Sequence, residues 1–227
     1  MSTYQASDSW QNHFQEGDRS YPSQGLIRVI RGTYPNHKPL ELSGKVVLDI
    51  GSGDGRNSEF LRSLGARVHG LEISQGICDL SESLYPKVSF AVGESRAIPF
   101  HQEVFDICVA WNSVYYMKSA KDRIGEHFDE IFRVTRSGGR VIFSIPMPSN
   151  FIYSSSRLLE TGEDVEYVEI ANDPFGVRNG QRMARFRSFE GLQSLLILAG
   201  FSDIRLGEET GSWFGLQYDW WVLDCLR

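Results

Sequence analysis

The segment VVLDIGSGDGRNSEFL, residues 46 to 61, constrains the fold more than any other part of the chain. A β-branched run from Lys45 to Ile50 stops at glycines, and Asn57 to Leu64 then places Phe60, Leu61 and Leu64 on one helical face. That order is strand, glycine loop, helix. Gly51, Gly53 and Gly55 let the backbone turn sharply and come close to a ligand, while the helix start offers N–H groups to an anionic group. A nucleotide cofactor is the implied ligand. The dinucleotide pattern G-x-G-x-x-G requires a third glycine where Arg56 stands, which disfavours NAD.

The alternation then repeats. Strands are predicted at Arg67 to Ile73, Val88 to Val92, Phe105 to Trp111 and Arg140 to Ile145, with helices over Gln75 to Leu84 and Lys121 to Val134. Ser137-Gly138-Gly139 is the expected stop of the second helix. Parallel neighbours need crossover connections, so this order argues for a mainly parallel sheet with helices on both faces and ligands at the carboxyl ends of its strands. Two short helices joined at Gly17 and Pro22 precede the first strand. The stretch from Pro146 to Arg187 is too long for an ordinary connection and reads as a cap insertion over about 147–187. After a helix from Ser188 to Ala199, strands at Asp203 to Gly207 and Gln217 to Leu226 follow with no helix between, which predicts a C-terminal antiparallel hairpin.

At about 100 to 200 residues per domain, 227 residues imply a single domain, 1–227. Lys plus Arg total 23 against 29 Asp plus Glu, a net charge of −6, so no attraction to nucleic acid or to an anionic membrane is expected. No apolar run approaches the roughly 18 residues of a membrane span, and the first residues lack signal-peptide order. A soluble, cytoplasmic protein is the expectation. Cys78, Cys108 and Cys225 are scattered, with no C-x-x-C pair, and no His or carboxylate spacing suggests a metal.

Several segments in this order resemble the class I methyltransferases that use S-adenosyl-L-methionine, whose first motif is an acid followed by G-x-G-x-G. LEIS at 71 to 74 is similar to the acidic end of that family's second strand, and VGESRAIPF at 92 to 100 to its third motif. EVFDICVAWNSVYYM and IFRVTRSGGRVIFSIP resemble its fourth strand and its following helix and fifth strand. The resemblance implies a Rossmann-like seven-stranded sheet, S-adenosyl-L-methionine as cofactor and S-adenosyl-L-homocysteine as product. By the same resemblance Glu72 would grip both ribose hydroxyls, Glu94 and Ser95 would read adenine, and Ile73 would pack on its face. Asp49 would help hold the ammonium and orient the loop around Ser52, and Trp111 and Asn112 would line the methionine arm. Each has a plainer reading: Glu72 as a solvated strand end, Asp49 as a turn brace, Trp111 as core.

Trp10, Phe14 and Tyr21 are similar to an aromatic pattern in thiopurine and related small-molecule methyltransferases, in which such residues close over the cofactor. A helical cover over about 1–40 is implied. Aromatic faces attract a sulfonium and keep the reacting methyl group dry, whereas the alternative is a hydrophobic staple on the first helix. Arg19 and Arg28 are further candidates for an anion.

Methyl transfer is an in-line displacement needing little covalent machinery. Tyr115 and Tyr116 stand where relatives often carry histidines, and a tyrosine with a pKa near 10 is a poor base at neutral pH. Tyr116 and His13 are the catalytic candidates; His37, His69, His101 and His127 are expected at surfaces or strand ends. Phe151, Tyr153, Tyr167 and Phe175 would form an apolar acceptor wall, with Tyr115, Tyr153 and Arg178 as substrate-binding residues. Arg178, Arg182 and Arg185 would bind a carboxylate or phosphate, or instead pair with the acidic stretch Glu160 to Glu169 and stabilise the cap or a homodimer contact. The fourth strand exits as A-W-N-S, unlike the N-P-P-Y of base-methylating enzymes, so a small-molecule O- or N-acceptor is preferred. A non-catalytic cofactor-binding sensor or scaffold and a NAD-dependent oxidoreductase or epimerase are the competing readings.

Overall fold

The computed structural model describes residues 4–16 and 21–227. The turn expected at Gly17 and the candidate Arg19 lie outside the described residues.

Two helices, α1 (Tyr4–Glu16) and α2 (Gln24–Arg31), precede β1 (Val46–Ile50) and α3 (Arg56–Ser63). The chain continues through β2 (Arg67–Glu72), α4 (Gln75–Leu84), β3 (Ser89–Val92), β4 (Phe105–Trp111), β5 (Tyr116–Met117), α5 (Ile124–Val134) and β6 (Thr135–Pro146). A 3-10 turn, Phe151–Tyr153, leads into β7 (Ser156–Thr161), β8 (Val165–Ile170) and β9 (Arg182–Phe186), followed by α6 (Phe189–Leu198), β10 (Ser202–Trp213) and β11 (Leu216–Leu226).

The large sheet has seven strands in the order β10-β11-β6-β4-β1-β2-β3. Only β11 runs against its neighbours, pairing antiparallel with both β10 and β6. The result is the Rossmann-like sheet with the expected C-terminal hairpin. Alternation explains its two covered faces: Val47, Ile107, Val109 and Ile142 enter one core with Leu26, Ile30 and Leu61. Leu48, Cys108, Ala110, Val141 and Phe143 enter the other, with Phe128, Ile131, Leu192 and Leu196. Central strands buried on both faces read as continuous apolar runs, which is why VVLDI and FDICVAW were legible. Each fully buried Leu or Phe contributes about 1.5 to 3 kcal/mol of burial energy.

Helix α5 ends three residues before the expected Ser137-Gly138-Gly139 stop. Thr135 is already extended, and its hydroxyl donates to the Ile131 carbonyl at 2.6 Å, closing the helix from the side. The cap is a second, four-stranded sheet in the order β5-β9-β8-β7, antiparallel throughout. Strand β5 leaves the mouth of β4 and pairs with β9, so the cap is joined directly to the carboxyl edge of the large sheet. No described helix is long and apolar enough to cross a membrane.

Candidate functional site at the carboxyl ends of the parallel strands

The end of β1 carries a buried acid into the glycine loop. Asp49 is 1% exposed and accepts a 2.6 Å hydrogen bond from the Ser58 hydroxyl of α3. Burial pushes its carboxyl up to about 6, against the pull of Ser58. Gly51, Gly53 and Gly55 all have positive φ, and a Cβ on Gly53 would stand 2.8 Å from the Phe14 ring. Ser113 braces the loop from β4, its hydroxyl donating to the Ile50 carbonyl at 2.6 Å. Ser52 Oγ is buried in the loop with no protein partner among the described residues.

At the end of β2, Glu72 accepts from the Gly53 N–H through Oε1 and from the Ile73 N–H through Oε2, each at 2.8 Å. Burial raises its pKa, opposed by those two amides. Both carboxylate oxygens retain acceptor capacity for a further donor. Ile73 beside it is half-exposed. The Gly93 N–H donates to the Glu72 carbonyl at 2.8 Å, which brings the Glu94–Ser95 turn alongside. Glu94 is held by Arg96 at 3.0 Å and by Lys118. Burial works against its charge, yet Lys118 and Arg96 keep its carboxyl below the usual range.

Helix α1 covers the loop. Trp10 and Phe14 stack at 5.7 Å, and the Trp10 ring meets Tyr116 edge-on at 5.8 Å. Arg178, from the β8–β9 connection, lies 5.3 Å over Trp10 and 5.9 Å over Phe151. Its Nη1 pairs with the fully buried Asp173 at 3.1 Å, and its Nε donates to the Tyr116 hydroxyl at 3.1 Å. Burial raises the Tyr116 pKa above its ordinary value although Arg178 opposes the shift. A phenol in that state does not act as a base at neutral pH.

These elements enclose a cavity of about 140 Å³ whose lining includes Trp10, His13, Phe14, Trp111, Asn112 and Arg178. Asn112 holds a positive φ at the end of β4 and accepts from the Ser144 hydroxyl. The volume is below the roughly 300 Å³ at which small-ligand pockets begin, with Phe14 resting against Gly53 of the cradle.

Three expected site residues, and one histidine expected at a surface, are placed otherwise. Tyr21 is 85% exposed and takes no part in the cavity wall. Tyr115, just before β5, is fully buried in the core and tilted on Tyr116 at 4.8 Å. Tyr153 is also buried, its hydroxyl donating to the Ala184 carbonyl at 2.8 Å, so it ties the 3-10 turn to β9 and lies outside the cavity lining. His127 is 3% exposed on the inner face of α5, away from the surface. Of the expected apolar wall, Tyr167 is buried and accepts from the Ile124 N–H at 3.2 Å, while Phe175 is 52% exposed. Arg182 and Arg185 pair with Glu160 and Glu166, which leaves Arg178 as the cap arginine facing the cavity.

Ser23, Arg56 and Asn57 also line the cavity and were not singled out from sequence. The Ser23 N–H donates to Asn57 Oδ1 at 2.9 Å, fastening α2 to the first turn of α3. The position of Arg56 and Asn57 directly after the third glycine was the available signal; Ser23 lies far from that motif along the chain. Among the described residues no group of three His, Cys, Asp or Glu side chains could hold a metal.

The Rossmann-like sheet, the glycine cradle and the acids ending the first two strands together resemble the class I S-adenosylmethionine-dependent methyltransferases. The methyltransferase domain family model matches residues 48–143, from β1 into β6. Among curated relatives, the malonyl-[acyl-carrier protein] O-methyltransferase of Yersinia pestis is 33% identical over 58% of this chain and 48% of its own length. The demethylmenaquinone methyltransferase of Renibacterium salmoninarum is 28% identical over 44% of this chain and 40% of its own. The chain spans between a quarter and about half of the length of curated relatives such as the malonyl-[acyl-carrier protein] O-methyltransferases and the bifunctional BioHC protein. Among solved structures, a methyltransferase from Methanosarcina mazei superposes with a TM-score of 0.64 at 18% identity, covering 91% of this chain and 98% of that one. The 1,6-didemethyltoxoflavin-N1-methyltransferase of Burkholderia thailandensis, solved with S-adenosylhomocysteine, gives 0.61 at 14% identity, covering 100% and 91%.

The residues present fit this cofactor. Ser52 Oγ is an unspent polar atom in the loop, Gly53 leaves a cradle that a Cβ would fill, and Glu72 ends β2 with spare acceptor capacity.

Proposed function

We propose that the chain methylates an oxygen or nitrogen of a small-molecule acceptor carrying a carboxylate or carbonyl oxygen that Arg178 orients. The carrying observation is the state of that guanidinium: fixed by Asp173 and Tyr116, stacked on Trp10, and facing the cavity beside the glycine loop. Bound in the cradle, S-adenosylmethionine supplies a methyl group activated by a sulfonium. Gly51, Gly53 and Gly55 would take its amino-acid end, Glu72 its ribose, and the turn at Glu94 and Ser95 its adenine. Trp10 and Phe14 exclude water from the reacting face. Arg178 holds the acceptor in one orientation, which is where most of the rate gain in a displacement of this kind arises. His13 lines the same cavity and is the side chain placed to receive the acceptor's proton, since Tyr116 is tied to Arg178 with a raised pKa. Oxygen transfer appears in the name of the Y. pestis relative and nitrogen transfer in that of the B. thailandensis enzyme, so the relatives support either atom.

The test is S-adenosylhomocysteine release across a panel of small carboxylic acids, each paired with its uncharged hydroxymethyl analogue. Turnover favouring the acids, with an acceptor KM that rises about tenfold or more in Arg178→Lys while cofactor affinity holds, supports the reading. Equal turnover of acids and analogues, or equal loss of cofactor and acceptor binding, removes Arg178 from acceptor recognition.

A further inference from the structure

One face of α5 grips the segment that follows β3. His127, Glu130 and Arg133 stand three residues apart, and each bonds to that segment. Ser95 Oγ and His127 Nδ1 are 2.8 Å apart; Glu130 accepts from the Ile98 N–H at 2.9 Å; Arg133 donates to the Ile98 and Phe100 carbonyls at 3.0 and 2.9 Å. Glu130 and Arg133 hold only backbone. His127 alone reaches a side chain of the turn assigned above to adenine.

Its surroundings keep this contact well defined. The ring is 3% exposed, and Nε2 is buried with no hydrogen-bond partner among the described residues, so Ser95 is the one polar group that fixes its orientation. Burial pulls the imidazole down to about 4, against the nearby Asp122, Glu126 and Glu94. The neutral ring is therefore a stable partner for a hydroxyl across the physiological range. The turn itself is closed by the Ala97 N–H donating to the Glu94 carbonyl at 2.9 Å. A displacement of Ser95 is thus carried directly into Glu94 and into the backbone between them.

We propose that His127 is a positioning residue for the purine end of the cofactor, acting through Ser95. The role rests on the cofactor reading given above. It predicts that S-adenosylhomocysteine binding depends on a hydroxyl–imidazole contact that touches no ligand atom.

The experiment is calorimetric binding of S-adenosylhomocysteine and of S-inosylhomocysteine, in which the purine amine is replaced by a carbonyl. Proteins compared are the unsubstituted chain, Ser95→Ala, His127→Leu, His127→Asn and the double variant Ser95→Ala/His127→Leu. Ser95→Ala and His127→Leu are each expected to weaken S-adenosylhomocysteine binding by about 3- to 10-fold, the range for one neutral hydrogen bond. The double variant should lose no more than either single one, and His127→Asn, which keeps a polar group near the Nδ1 position, should recover most of the affinity. The preference for adenine over hypoxanthine should shrink in step. An unchanged preference, or losses that add in the double variant, overturns the role and leaves the cofactor reading standing. Absence of S-adenosylhomocysteine binding by the unsubstituted chain removes both. If His127→Leu does not fold, Ser95→Ala and His127→Asn still decide the matter, because a purely structural contact lowers Tm without altering base preference.

Discussion

The Phe14 ring rests on the backbone of Gly53: a Cβ added to that glycine would lie 2.8 Å from Phe14 Cζ, at a φ of +57°. Helix α1 and the loop after β1 are therefore fitted to each other. Gly53→Ala carries the left-handed backbone penalty of about 1 to 2 kcal/mol and also pushes the ring away. Thermal unfolding and S-adenosylhomocysteine titration should show lower Tm and weaker binding. In a Phe14→Ala background the steric part is gone, so the same substitution should cost less; an equal cost in both backgrounds would mean that the ring does not bear on Gly53.

Glu72 has two tasks in one carboxylate. It accepts from the Gly53 and Ile73 amides, and gripping the ribose is the second task proposed for it above. Glu72→Ala should consequently weaken cofactor binding and also loosen the loop, since the buried Gly53 amide loses its acceptor at about 1 to 3 kcal/mol and the part-buried Ile73 amide loses its own. From sequence alone the same substitution would be expected to spare the fold. Chemical denaturation of the variant without ligand is the check, and an unchanged midpoint would remove the loop-bracing task.

Local features of the fold and long-range ones were unequally legible in the sequence. Strand β1, the glycine loop and α4 were legible because burial on both faces, positive φ and a Ser74 cap each leave a local mark in the residue pattern. The cap sheet left a fainter one. VEYVEI lacks strict alternation, and β8 is defined by pairing with β7 and β9, which are contributed from either side of it along the chain. Tyr115 and Tyr116 show the same limit inside the site: Tyr115, just before β5, is fully buried, whereas Tyr116 opens β5 opposite Met183 of β9 and meets Trp10 and Arg178, a division that depends on a pairing distant in the chain. Arg178 could be singled out by type, whereas its clamps, Asp173 and Tyr116, come from five and sixty-two residues away.

Arg178 and Asp173 should prove inseparable in stability measurements. The Asp173 side chain is fully buried and also accepts from the Val177 and Arg178 amides at 2.9 and 3.2 Å. Arg178→Ala leaves that carboxylate without its cation, a loss on the order of 3 kcal/mol for a broken buried pair. Asp173→Asn combined with Arg178→Ala should be less damaging than Arg178→Ala alone. Denaturant titration of the set decides it, and strict additivity would show that the two side chains are energetically independent.

All three cysteines should be inert in the folded chain. Cys78, Cys108 and Cys225 are buried and free. Burial pushes the Cys78 thiol up to about 11 and the Cys108 thiol up to about 12, so little thiolate forms near neutrality. A thiol-reactive chromogenic disulfide at pH 8 should label none of them within minutes and all three in denaturant. Rapid labelling of one site under native conditions would contradict the burial of that cysteine.

Asp49 gives the fold a pH dependence of unusual sign. Its folded-state pKa of about 6 exceeds the ordinary carboxylate value of 3.8, so between those limits the folded chain binds more protons than the unfolded one. Stability contributed by this group is therefore fully present below about pH 4 and falls as pH rises toward 6, then levels off. Glu72, raised in the same direction by burial, adds to the slope, whereas Glu94, Asp106 and Asp122, held below their ordinary values, oppose it. The difference between two proteins isolates the Asp49 part. Asp49→Asn keeps an acceptor for the Ser58 hydroxyl and removes the buried charge, so it should be more stable than the unsubstituted chain by roughly 2 to 3 kcal/mol at pH 7. That gap should close as pH approaches 4 in urea unfolding curves. A gap that is constant with pH would mean that the carboxyl at the end of β1 is not carrying a displaced proton equilibrium. The charge retained there at a cost in stability would then lose its simplest explanation, the holding of a cationic group at the glycine loop.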